Sequence, residues 1–97
     1  MDLVIDSLEQ FFGGYFHQDC FVDDPSWEAV VGHYKADAGA NDRVALAQRI
    51  EVELIGSGAS EDELGERLAM LGSYYRPQGE GFTNRQWLIA VVKRLVE

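Results

Sequence analysis

The chain has 97 residues, 17 of them acidic and 8 basic, for a formal net charge of −9. That length accommodates a single domain spanning 1–97, and a 46% hydrophobic share is too rich in apolar residues for wholesale disorder. The carboxylate excess argues against direct contact with nucleic-acid phosphates or an anionic membrane and favours basic partners, though it would equally keep a small domain soluble.

The opening residues Met1 to Asp6 carry no basic region ahead of a long apolar stretch, so no cleavable signal is expected. No apolar run approaches the roughly 20 residues of a membrane span. The first helical pattern follows in Leu8, Phe11, Phe12 and Tyr15, spaced i, i+3, i+4, i+7. Asp6 and Glu9 read as its cap, and Gly13-Gly14 as a stop or distortion. Cys20 is the sole cysteine, which excludes an intramolecular disulfide and fits a reducing cytoplasm.

Asp24-Pro25 predicts the start of a second helix, with Trp27, Val30, Val31 and Tyr34 on its buried stripe. A third begins near Asn41 or Asp42 and carries Leu46, Ala47, Ile50 and Leu54, with Arg49 and Glu53 as helical neighbours on its outer side. Gly56-Ser57-Gly58 ends it. Ser60 and Glu63 form a capping box for a fourth helix with a Leu64, Leu68, Leu71 stripe and Gly72 at its end. After a loop with Pro77, Gly79 and Gly81, Thr83 and Gln86 cap a fifth helix that buries Leu88, Val91, Val92 and Leu95. No strand is expected. The fold class is all-α, a compact bundle of about five amphipathic helices. Its expected core is Leu8, Phe12, Trp27, Val30, Val31, Ile50, Leu54, Leu64, Leu68, Leu88, Val91 and Leu95.

Catalytic patterns are sparse. The sequence has no phosphate-binding glycine loop, no nucleophile elbow and no zinc spacing. His17, Asp19 and Cys20 offer ligand-type atoms in one short stretch, but the second histidine, His33, falls on another predicted helix. A helix-terminal turn is the better reading, and no catalytic residue, metal or cofactor is expected. Two groups stand out as contact candidates. Acidic residues gather at Asp19, Asp23 and Asp24, and again at Glu61, Asp62 and Glu66. Tyr74, Tyr75 and Arg76 leave a helix for a loop, where residues of these types serve as binding anchors.

The stretch Leu8-Glu9-Gln10-Phe11-Phe12-Gly13-Gly14-Tyr15-Phe16-His17-Gln18-Asp19 resembles the N-terminal signature of bacterial contact-dependent growth-inhibition immunity proteins of the CdiI type. Trp27-Glu28, the run from Leu68 to Tyr75, and Trp87-Leu88 are similar to later features of that family. The resemblance implies a small helical cytoplasmic protein, a monomer or weak dimer. Its partner would be the C-terminal toxin domain of a cognate exoprotein, in this family often a nuclease and in some cases one that cleaves tRNA. It implies no catalysis: the inhibitor works by occupying a basic surface. On that reading Asp19, Asp23, Asp24, Glu61, Asp62 and Glu66 steer and pair, while Tyr74, Tyr75 and Arg76 anchor. Two other classes stay open, a metal-dependent enzyme subunit using His17, Asp19 and Cys20, and an acidic adaptor with an unrelated partner.

The helical reading places Leu68 in the core. Leu68→Ala should therefore cost about 2–5 kcal/mol in a denaturant titration, and near-normal stability would show that the stripe is misplaced.

Overall fold

The computed structural model describes residues 7–16 and 26–97. Among them five α-helices form and no strand does: α1 (Ser7–Tyr15), α2 (Trp27–Asp37), α3 (Ala40–Glu53), α4 (Glu61–Met70) and α5 (Asn84–Val96). Short 3-10 turns at Ile55–Ser57 and Pro77–Glu80 interrupt the connections. The all-α class expected from periodicity is the class observed. No described helix is long and apolar enough to cross a membrane.

Two helix starts are set by local chemistry that was legible in advance. The Ser60 backbone N–H donates to Glu63 Oε1 at 3.1 Å while the Glu63 N–H donates to Ser60 Oγ at 3.2 Å. Thr83 and Gln86 repeat this at the start of α5, with both bonds 3.0 Å long. Each box satisfies two N–H groups that no helical carbonyl can reach.

Two other boundaries differ from expectation. The N-cap of α2 is Ser26, whose hydroxyl accepts from the Ala29 N–H at 3.2 Å, rather than Asp24. Asp24, Pro25 and the expected Asp6 cap of α1 lie outside the described residues. Gly13 and Gly14 do not stop α1, which runs on to Tyr15. A glycine costs a helix about 1 kcal/mol, and burying Leu8, Phe11 and Phe12 on one stripe outweighs that.

Gly13 has a tertiary reason to be glycine. A Cβ there would sit 2.8 Å from the Leu71 carbonyl oxygen, and one on Gly72 would sit 2.8 Å from the Gly13 Cα. Gly72 holds a left-handed φ of 95°. It closes α4 with the Gly72 N–H bonded to Ala69 O and the Ser73 N–H bonded to Leu68 O, each at 3.0 Å. The chain turns there because a residue without a side chain permits the left-handed backbone, and α1 then lies directly on the turn.

All twelve expected core residues are buried, and Phe11, Phe16 and Trp87 join them, fully enclosed. Trp87 lies at the centre. Its ring is 5.2 Å from Phe16, 6.0 Å from Phe12, 6.3 Å from Trp27 and 5.1 Å from Tyr75, mostly edge-on or tilted. The buried stripe of α5 is wide (Asn84, Trp87, Leu88, Val91, Val92, Leu95) because α2, α3 and α4 all pack against this helix. Arg85 ties the α3–α4 connection to it by donating to the carbonyls of Ile55 and Ala59.

The adjacent glycines of α1 predict opposite outcomes. Nothing lies within 4 Å of a Cβ on exposed Gly14, so Gly14→Ala should stabilise by about 0.5–1 kcal/mol through helix propensity. Gly13→Ala gains the same propensity but must displace backbone, and overpacking of this kind costs about 1–3 kcal/mol. Chemical denaturation should separate the two in sign, and a stabilised Gly13→Ala would contradict the close contact.

Candidate functional site

α4 buries Leu64 and Leu68. Residues at 62, 65, 66 and 69 therefore fall on its outward stripe, spaced i, i+3, i+4, i+7. Because the chain reverses at Gly72, the segment 72–78 returns alongside that stripe. The two form the walls of an open groove of about 850 Å³. Glu61, Asp62 and Glu66 stand on the helix wall, and Tyr74, Tyr75 and Arg76 on the loop wall. Six of the nine contact candidates thus line one concave surface. The other three, Asp19, Asp23 and Asp24, lie outside the described residues, as do His17 and Cys20.

The loop wall is fastened to the core rather than to α4. The Tyr74 N–H donates to the Phe16 carbonyl at 2.7 Å, which ties the loop to the end of α1. The Tyr75 ring packs on Trp87 and Phe16, and its hydroxyl donates to Glu80 at 2.7 Å. Burial, the bond to Glu80 and the nearby negative charge all push the Tyr75 phenol pKa upward, so it remains a neutral donor. Tyr74 points the other way and is 63% exposed. The two adjacent tyrosines divide the work: one holds the wall and the other faces solvent.

The three acids of the helix wall are not equivalent. The Glu61 carboxylate accepts from the backbone N–H groups of Asn84 at 2.7 Å and Arg85 at 3.0 Å, so it caps the start of α5. The Glu61 carbonyl accepts from Asn84 Nδ2 at 3.1 Å. Asp62 and Glu66 are exposed and pair with no basic side chain among the described residues. Neighbouring Glu63 is held below the usual carboxylate range by the Ser60 N–H and hydroxyl, so its charge is already spent within the helix.

Asn84 also lines the groove, and local pattern could not reveal it. A polar residue just inside a helix start reads as exposed, yet it is buried because its partner Glu61 lies 23 positions away. Among the described residues no group of three or more His, Cys, Asp or Glu is arranged to hold a metal ion. What the groove offers chemically is recognition: unpaired carboxylates, an exposed aromatic ring and a guanidinium opposite them.

A family model described as CdiI immunity protein matches residues 5–95, nearly the whole chain. No curated protein and no solved structure matches it.

The division of labour among the acids is testable by stability alone. Glu61→Ala should cost about 1–2 kcal/mol, as lost helix caps do, whereas Glu66→Ala should change stability by less than about 0.5 kcal/mol. Equal small effects in urea titrations would show that Glu61 does not hold α5.

Proposed function

The chain belongs to the CdiI immunity protein family, and on that premise we propose that it neutralises its cognate toxin domain by laying the groove beside α4 over a basic surface. Members of the family are immunity proteins of contact-dependent growth-inhibition systems and bind cognate toxin domains. The toxin domain of this reading is a nuclease, and tRNA is a substrate that fits it. A nuclease must draw a polyanion to its active site and so presents positive charge there. An inhibitor carrying a net charge of −9 is attracted to the same surface. Blocking is by occupancy in the cytoplasm, and no bond is made or broken.

The observation that carries this reading is the gathering of Asp62, Glu66, Tyr74 and Arg76 on one concave face, with neither carboxylate paired to a cation among the described residues. Their roles follow from their chemistry. Exposed carboxylates at a rim raise the association rate and reject wrong partners more than they deepen affinity. An aromatic ring that is exposed in the free protein and covered in the complex supplies the affinity, since such anchors dominate binding energy. Arg76 adds a planar donor for a backbone carbonyl or carboxylate on the toxin. Asp19, Asp23 and Asp24 are further steering charges in this proposal, and Glu61 adds its charge while fixed at α5.

Stopped-flow and dissociation measurements with the cognate toxin domain test both roles. Asp62→Lys with Glu66→Lys should slow association about tenfold or more at low salt, with the difference shrinking as salt screens the field. Tyr74→Ala should speed dissociation about tenfold or more with little change in association. Co-expression of each variant with the toxin domain then reports protection as growth. Unchanged kinetics in both variants would remove the groove from the interface.

A further inference from the structure

We propose that the face between α3 and α5 is a self-association surface whose occupant is a second copy of this chain. An open groove of about 460 Å³ runs there, lined by the apolar side chains of Ile55, Ile89, Val92 and Val96. Ile89 and Val96 are 51% and 55% exposed and lie seven residues apart, on one stripe of α5. The face shares no lining residue with the acidic groove, so an occupant here takes nothing from the toxin-binding reading.

The charges at its edges choose the occupant. Glu51 enters from α3 and Lys93 from α5, and neither forms an ion pair among the described residues. A uniformly basic partner would suit Glu51 but meet Lys93 with like charge. A uniformly acidic partner would have the reverse mismatch. A second copy satisfies both edges. With a two-fold axis running along the groove, each Glu51 lies opposite the other copy's Lys93, and the aliphatic residues lie against their own equivalents. Such an interface is the same patch used twice, and it closes at two copies.

Sedimentation velocity over a rising protein concentration tests this directly. Salt is set at about 150 mM, where a Debye length of about 8 Å damps repulsion between the two acidic bodies more than contacts across the seam. The wild-type chain should show a reversible monomer–dimer equilibrium. Glu51→Lys and Lys93→Glu, each of which places like charges at both ends of the seam, should weaken it about tenfold or more. The double exchange should restore it, and Ile89→Lys should abolish it, with circular dichroism showing every variant folded. A wild-type chain that stays monomeric at its highest concentration, or a double exchange no better than its single parents, overturns the proposal. Toxin binding lost in Ile89→Lys would overturn it too, by giving the face to the toxin. The sedimentation results leave the acidic groove untouched, and its own variants read out separately.

Discussion

The candidate site depends on one close approach, the backbone of α1 at Gly13 lying against the turn at Leu71 and Gly72. Gly72 must be left-handed to close α4, and Gly13 must lack a side chain to let α1 lie on that closure. Only then can the Phe16 carbonyl reach the Tyr74 N–H, and only then does the chain run back beside α4 instead of away from it. The groove follows from this junction. Its helix wall exists in any amphipathic helix, but its loop wall exists because two glycines meet.

Trp87 converts that local junction into a property of the whole molecule. Its ring touches Phe12 and Phe16 from α1 and the residue following it, Trp27 from α2, and Tyr75 from the loop. The position of Tyr75 is therefore coupled to three separate elements. Tyr74, one residue away, has its backbone fixed by the bond to the Phe16 carbonyl while its side chain is exposed. A backbone already held in place loses less freedom when a partner covers the side chain it carries, which lowers the entropic cost of binding.

What was legible in the sequence was whatever is decided within a few residues. Both capping boxes and the apolar stripes are short-range patterns, and they mark the helices correctly. Gly13-Gly14 misled because helix propensity is local while the burial of Phe11 and Phe12 is not. At the start of α2 the cap lies two residues beyond the expected Asp24, at Ser26, whose oxygen accepts from the Ala29 N–H. Trp87, Asn84 and the double role of Glu61 were hidden for a shared reason: their partners are 12 to over 70 positions distant in the chain. Charge density and loop placement singled out Glu61, Asp62, Glu66, Tyr74, Tyr75 and Arg76. That they line one groove is a consequence of the turn at Gly72, which no count of charges contains.

The residues that build the junction and the proposed contact residues of the groove therefore occupy different places. Gly13, Phe11, Phe12 and Phe16 build the support, and each is buried or pressed against backbone. Asp62, Glu66 and Tyr74 stand outward and touch little, so their replacement costs the fold little. A scaffold arranged in this way can exchange its outward stripe to meet a new toxin while keeping its junction intact. Glu61 is an exception, since it lines the groove and its carboxylate also holds α5. Tyr75 on the loop wall is another, since its ring packs on Trp87 and Phe16, so replacing either residue also costs stability.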